Sequence, residues 1–377
     1  MAESGMILIN GLSIGGGGGL TVGIELTRAL AQARPGWAIG LLLTRGHPLH
    51  EEASDVTWPA GVKLIWADPS TRQRQARDRY EARMLPKLVE DRGVRVLIQL
   101  NGMMPCGRVR VPVICHHQDP WPYRYQAWFS WKHHLIAWFK RRRHRRSLRD
   151  ATWLTFTSEY LMQTVTTHHG FDTKRCSVLP NGLPDHLYEE AHREQIDPRA
   201  DEILTVSNVS PYKQQWRVIE ALAELDQRGH KGVSYRVLGG GAKEDLDALV
   251  ERAKTLGLSD RVAVEGRVAT ERITWAYRRA RIFALPSQCE SFGIPAIEAM
   301  AFGVPVVVAD CCALPEVTGD AALHADPDST TALANAIERL LTDRDLAKTL
   351  IERGRERIHR YRWSDSGVKL AEIIEKF

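Results

Sequence analysis

The chain is short of several things, and each shortage removes a class of protein. No run among its 377 residues approaches the ~18 consecutive apolar residues of a membrane-spanning helix. The opening Met1-Ala2-Glu3-Ser4-Gly5-Met6 has neither a basic stretch nor an apolar core, so no secretory leader is expected. Cysteine is scarce: Cys106, Cys115, Cys176, Cys289, Cys311 and Cys312 show no Cys-x-x-Cys spacing and no zinc pattern. Reduced thiols in a cytoplasmic protein are the expectation, with the adjacent Cys311 and Cys312 simply packing. No short internal repeat and no low-complexity tail is present, which excludes solenoids and disordered arms. What remains, 44% hydrophobic and 26% charged, describes a soluble globular chain long enough for two domains with separate cores.

The charge is uneven. Lys140, Arg141, Arg142, Arg143, Arg145, Arg146 and Arg149 account for more than the whole net charge of +5, so the rest of the chain is slightly acidic. Just before them, Trp128, Trp131, Leu135 and Trp138 recur at helical spacing, an aromatic stripe that runs into a basic end. Such a helix suits an anionic membrane surface, with Trp at the interface and Arg on headgroups. No nucleic-acid-binding motif accompanies the cluster, so a nucleic-acid partner is not expected.

Short apolar runs alternate with helical periods along the whole chain: Met6–Asn10, Trp37–Leu43, Val94–Leu100, Val111–Cys115 and Thr152–Thr157 read as strands of one parallel sheet. After Val178-Leu-Pro-Asn-Gly182 a polar stretch intervenes, and the pattern restarts at Ile203 with strands at Ser234–Leu238, Arg261–Glu265, Ile282–Leu285 and Val304–Val308. The expected architecture is α/β, with two Rossmann-like doubly wound domains facing a central cleft. The expected boundaries are an N-terminal domain over 1–184, a linker over 185–201, a C-terminal domain over 202–360, and a helix over 361–377 that crosses back to the first domain.

Two loops invite a ligand. Gly15 to Gly19 follows the first strand, but Leu20 and Thr21 break any Gly-x-Gly-x-x-Gly spacing and Thr44-Arg45 ends the second strand without an acidic residue. A dinucleotide site is therefore excluded, and a turn whose backbone can approach a ligand closely remains. The second loop lies in residues 286–308, where Glu290 and Glu298 flank a helix start made by Ser291, Gly293 and Pro295. Free N–H groups at that start suit a phosphate, and the two carboxylates suit hydroxyls of the same ligand, Glu298 being placed in the first turn. A diphosphate with a sugar at each end satisfies all three. Asp245 and Asp247 fall on a helical stretch and read as solvated charges, so no metal site is expected.

The stretch Glu290-Ser-Phe-Gly-Ile-Pro-Ala-Ile-Glu298 resembles the Glu-x7-Glu signature of retaining family 4 glycosyltransferases, which have the GT-B fold. Gly303-Val-Pro-Val-Val-Val-Ala-Asp310 and Ala313-Leu-Pro-Glu-Val317 continue the pattern, and the likeness extends, more weakly, through the first half. The resemblance implies transfer of a hexose from a nucleoside diphosphate sugar to an acceptor hydroxyl, with retention and without metal or other cofactor. It implies that Glu298 holds the ribose. Glu290 and the backbone of Phe292, Gly293 and Ile294 would hold the donor sugar and phosphate. Lys213 would neutralise the leaving diphosphate, which Gly18 and Gly19 approach. The donor site would include Asn208, which stands where the family often has Arg, so that another cation or backbone N–H groups would substitute, and Val268, which borders the base. A cleft histidine, His117 in preference to His116, would join Glu290 and Lys213 as the catalytic set, with Asp119 on the acceptor side. GDP-mannose is the expected donor. A saccharide or lipid-linked acceptor in bacterial surface polysaccharide, lipopolysaccharide or glycolipid synthesis is the expected context, at the inner face of the cytoplasmic membrane. A nucleotide-sugar epimerase, or a silent nucleotide-sugar-binding protein, is the alternative.

Overall fold

The computed structural model describes residues 5–14, 18–127, 130–191 and 201–377, so Gly15 to Gly17, Trp128 and Phe129 lie outside it. The chain divides into two units. The first comprises residues up to Tyr123, Trp131–Gly182 and Arg362–Phe377; the second comprises Arg124–Ser130 and Leu183–Tyr361.

The first unit is built on seven parallel strands: β1 (Met6–Asn10), β2 (Ala38–Thr44), β3 (Val62–Ala67), β4 (Val94–Gln99), β5 (Val113–His117), β6 (Trp153–Phe156) and β7 (Cys176–Val178). They lie in the order β3-β2-β1-β4-β5-β6-β7. Ile7, Leu8 and Ile9 of β1 are fully buried, as a central parallel strand covered on both faces requires. The helix Trp363–Ile374 packs on the helix Gly18–Ala33 within this unit. Gly367 marks the closest approach: a Cβ there would lie 2.5 Å from the Ala29 carbonyl.

Six parallel strands build the second unit: β8 (Glu202–Val206), β9 (Ser234–Leu238), β10 (Val262–Val264), β11 (Ile282–Leu285), β12 (Val306–Ala309) and β13 (Ala322–Ala325), in the order β10-β9-β8-β11-β12-β13. Its core gathers Val218, Ile219, Leu222, Tyr235, Val237, Ile282 and Ile337 between sheet and helices.

Three features depart from the sequence reading. The stretch 185–201, expected to be a linker, opens with a helix, Asp185–Ala191, whose Leu187 is buried; its residues 192–200 lie outside the description. Strands β3 and β13 were not anticipated, and both are edge strands. Helix Ile294–Ala301 begins late enough that Glu298 falls in its second turn, not its first.

Candidate active site

In an open parallel sheet the strand order reverses at one place, and the loops leaving the carboxyl ends of the two strands there diverge to leave a crevice. In the second unit that place lies between β8 and β11, hydrogen-bonded neighbours whose connections run to opposite sides. The loop after β8 carries Asn208 and Lys213; the loop after β11 carries Glu290. They meet there: Lys213 Nζ lies 2.6 Å from Glu290 Oε1, with only 14% and 12% of the two side chains exposed. Burial works against the ammonium, but Glu290 together with Tyr212 and Cys289 outweighs it and holds the Lys213 pKa above the usual lysine value.

Gly293 follows Glu290 with φ +94°, the left-handed region, and a Cβ would lie 2.7 Å from Leu314 Cδ2. This residue therefore has to be glycine. It turns the chain into the helix Ile294–Ala301, where Pro295 has no N–H to offer and Ala296 N–H donates to the Gly293 carbonyl at 2.9 Å, so that the Ile294 N–H is the first-turn donor facing outward from the helix start. The Phe292 side chain is buried edge-on against Tyr361, at 5.1 Å between ring centroids, so this residue offers a ligand only its backbone. Ile294 is half-buried. Glu298, also half-buried, accepts a hydrogen bond from the Tyr277 hydroxyl at 2.8 Å. Burial raises its carboxyl pKa, and the Tyr277 hydrogen bond opposes that rise.

The loops after β8, β9 and β10 are tied side by side. Val209 N–H donates to the Gly240 carbonyl at 2.7 Å, and Gly239 N–H to the Gly266 carbonyl at 2.7 Å. A Cβ on Gly239 would fall 2.0 Å from the Ser207 carbonyl oxygen, so only glycine permits this approach. Asn208, exposed, and Val268, half-buried, are thereby placed on one rim of the sheet.

Sequence reasoning missed three neighbours of the Glu290 loop and the helix that follows it. Arg124 donates through Nε to the Gln288 carbonyl at 3.2 Å, bringing a guanidinium to the loop from 164 residues away in sequence. Tyr277 is the second; its helix position carried no sign of a carboxylate partner. The third is the cysteine pair: Cys312, at φ +60°, donates to the Gln288 carbonyl at 3.0 Å, and Cys311 to the Ser287 carbonyl at 3.5 Å. The pair therefore braces the loop.

Gly18 and Gly19 open the helix Gly18–Ala33 at the end of the loop leaving β1, which with β4 forms the first sheet's own reversal point. His117, by contrast, ends β5 with 1% exposure and neither ring nitrogen hydrogen-bonded. It stacks on Phe156 at 4.8 Å and meets His144 edge-on at 4.9 Å, and a Cβ on Gly102 would lie 2.5 Å from its Nδ1. Burial holds its pKa well below the usual histidine value. His116 is equally buried and shares a hydrogen bond with Thr155 Oγ1 at 3.0 Å. Both histidines are buried side chains at the end of β5, and of the two His117, the one expected to meet the ligand, has both ring nitrogens without a protein partner. Asp119 pairs with Lys140 Nζ at 2.7 Å and accepts from Trp121 N–H at 3.0 Å, so one carboxylate oxygen holds the middle of the long helix Trp131–Asp150 and the other the turn that opens at Trp121.

Among the described residues one group, Asp78, Glu81 and Cys106, brings three metal-type ligand atoms within 4.8 Å of one another. The Arg143 guanidinium reaches all three, at 3.5, 4.0 and 3.7 Å, and supplies the positive charge itself.

Comparison with known proteins separates the two halves of the chain. The family model described as glycosyl transferases group 1 matches residues 189–357, and that described as Glycosyltransferase Family 4 matches residues 16–187. A D-inositol 3-phosphate glycosyltransferase from Nocardia farcinica is 33% identical over 217 residues, 54% of this chain and 48% of that protein. A mannosylfructose-phosphate synthase from Agrobacterium fabrum is 32% identical over 145 residues, 35% of this chain and 32% of that one. The alignments thus span about a third to a half of these relatives' lengths. Among solved structures, a sucrose-phosphate synthase from Thermosynechococcus elongatus shares the fold at a TM-score of 0.78 and 19% identity, covering 99% of this chain and 98% of that one. The Anabaena protein HepE, crystallised with UDP and glucose, does so at 0.76 and 20%, covering 98% and 99%.

Proposed function

We propose that the chain is a family 4 glycosyltransferase of GT-B fold, and that it transfers a hexose from a nucleoside diphosphate sugar to an acceptor hydroxyl with retention at the anomeric carbon. One observation carries this reading: Lys213 and Glu290 meet at 2.6 Å where the strand order of the second sheet reverses, beside the turn at Gly293 and Ile294 that opens the helix Ile294–Ala301. A donor diphosphate entering there exchanges places with part of this ion pair. The ammonium turns to the phosphate oxygens, and Glu290 is released to accept from hydroxyls of the sugar. Backbone N–H groups at Gly293 and Ile294 complete the anion site. Glu298, held by Tyr277 one turn further on, accepts from the ribose hydroxyls. Arg124 is a second cation for the leaving group and compensates for Asn208.

Charge on the leaving diphosphate is thus balanced by protein cations and helix N–H groups, with no step that requires a metal ion. The leaving phosphate oxygen takes the acceptor proton on the face it departs from, which gives retention without a covalent enzyme intermediate. GDP-mannose is our proposed donor. UDP-glucose is the competing one, since the similarly folded HepE was crystallised with UDP and with glucose. The acceptor is a saccharide or lipid-linked hydroxyl at the inner face of the cytoplasmic membrane, in surface polysaccharide or glycolipid assembly.

Calorimetric titration of GDP, UDP and dTDP into the wild type, Glu298→Ala and Lys213→Ala tests the reading. One nucleotide should bind, and each substitution should weaken it about tenfold or more through loss of a charged hydrogen bond. Binding of none, or binding indifferent to both substitutions, would remove the donor site. Product formation without an added acceptor would favour the epimerase, and nucleotide binding with no turnover of any sugar donor would favour a silent binding protein.

A further inference from the structure

The helix Trp131–Asp150 lies in the first unit and shows solvent a patterned face. Trp131, Leu135, Trp138, Arg142, Arg145 and Arg149 follow one another at spacings of four, three, four, three and four, which places them on one stripe. All six are exposed, Trp131 by 72% and Leu135 and Trp138 by 49% each. Phe139 and Ile136 add exposed apolar surface at its flank, whereas Ala137, His144, Ser147 and Leu148 turn inward. The stripe is apolar over its first half and cationic over its second.

The other cations of the basic run are occupied elsewhere. Arg143 is engaged with Asp78 and Glu81, Arg146 with Asp150 at 3.6 Å, and Lys140 with Asp119. The sequence reading offered Trp128, Trp131, Trp138, Arg141, Arg142, Arg143, Arg145 and Arg146 to one surface; of these Trp128 lies outside the described residues, and Arg143 and Arg146 hold ion pairs. Arg149 shares Asp150 at 2.6 Å, and Arg142 lies 6.0 Å from the Trp138 ring centre.

We propose that this stripe is a docking surface for an anionic lipid bilayer, on which the helix lies flat. Trp131, Leu135, Trp138 and Phe139 enter the boundary between headgroups and acyl chains, and Arg142 and Arg145 rest on lipid phosphates. A helix of twenty residues is about 30 Å long, so both halves reach one surface together. The charge pattern selects this occupant. A second copy joined across a twofold axis on the cationic half would set arginines against arginines. A nucleic acid would use the arginines and leave the exposed apolar half in water. The inference stands apart from the transfer reaction, because binding is read without any donor or acceptor.

The test is flotation of the full chain with vesicles of phosphatidylcholine alone and of phosphatidylcholine mixed with phosphatidylglycerol. The expected result is co-flotation with the anionic vesicles only. Partitioning should fall roughly tenfold or more in Trp131→Ala/Trp138→Ala, which removes two interfacial rings, and likewise in Arg142→Glu/Arg145→Glu. The same charge change at exposed Lys231 and Lys348 of the second unit should leave partitioning near wild type. These side chains are all exposed, so an unchanged thermal melt verifies folding. Absence of binding to either vesicle, or equal loss in the Lys231/Lys348 control, overturns the proposal. So does a sedimenting dimer that Trp131→Ala/Trp138→Ala converts to monomer, which would assign the face to a second copy.

Discussion

At the residue scale the central feature is a charged pair that is useful because it can be divided. Lys213 and Glu290 satisfy each other while little of either is wetted. Removing one leaves the other buried without its partner, which is costlier than removing both. We expect Lys213→Ala and Glu290→Ala each to destabilise the second unit by about 1–3 kcal/mol and the double substitution to cost less than their sum, as urea denaturation of the four proteins would reveal. Glu298 makes a prediction about pH. Its folded pKa is raised, so its contribution to stability is fully present below the ordinary carboxylate value and is lost as pH rises through the raised one. Tyr277→Phe removes the hydroxyl that supports the ionised form. Its destabilisation should therefore grow from acid toward neutral pH, reaching about 1–2 kcal/mol, and a series of thermal melts across that range checks it. Glu290, Gly293, Pro295 and Glu298 were legible in sequence because carboxylates, glycine and proline announce themselves by type and spacing. Arg124 and Tyr277 were not, since an arginine that donates to a carbonyl 164 positions away is made by folding alone. The strand that ends at His117 was legible as well, but not that Gly102 and His144 pack against its ring, since both contacts are made by folding.

Elements were readable where their interiors are strongly apolar and their ends carry punctuation. β9 and β11 fall on the expected residues, and the parallel order follows from the alternation of strand and helix. The two missed strands lie at sheet edges, where one partner suffices and the apolar signal thins: β3 alternates Lys63 with Leu64, and β13 is only Ala-Leu-His-Ala. The helix Asp185–Ala191 was hidden by its polar composition and is held by the burial of Leu187. The close contact of the helices Gly18–Ala33 and Trp363–Ile374 offers a test at this scale. Gly367→Ala forces a methyl group to within 2.5 Å of the Ala29 carbonyl, so the helices must separate. A loss of about 1–3 kcal/mol from overpacking is expected, read as a lower melting temperature with nucleotide affinity unchanged.

For the whole molecule, the two units differ in how they meet acid. The first carries His116, His117 and His144 in its interior, with pKa values pushed down by burial to about 4, well below the usual value, and to about 3. Their neutral forms stabilise the fold fully above the ordinary histidine value, and that contribution is lost as pH falls toward the depressed ones. Each can add up to ~1.4 kcal/mol per pH unit to the slope. Hydrogen exchange between pH 7 and pH 5 should show the first unit opening while the second holds, and His117→Leu should flatten that dependence. The division of the chain has a consequence for synthesis. A ribosome delivers every residue of the second unit before it releases Arg362–Phe377, which the first unit needs to cover its Gly18–Ala33 helix. The half made first is therefore the half finished last, and a chain ended after Tyr361 would hold a complete second unit and an open first one.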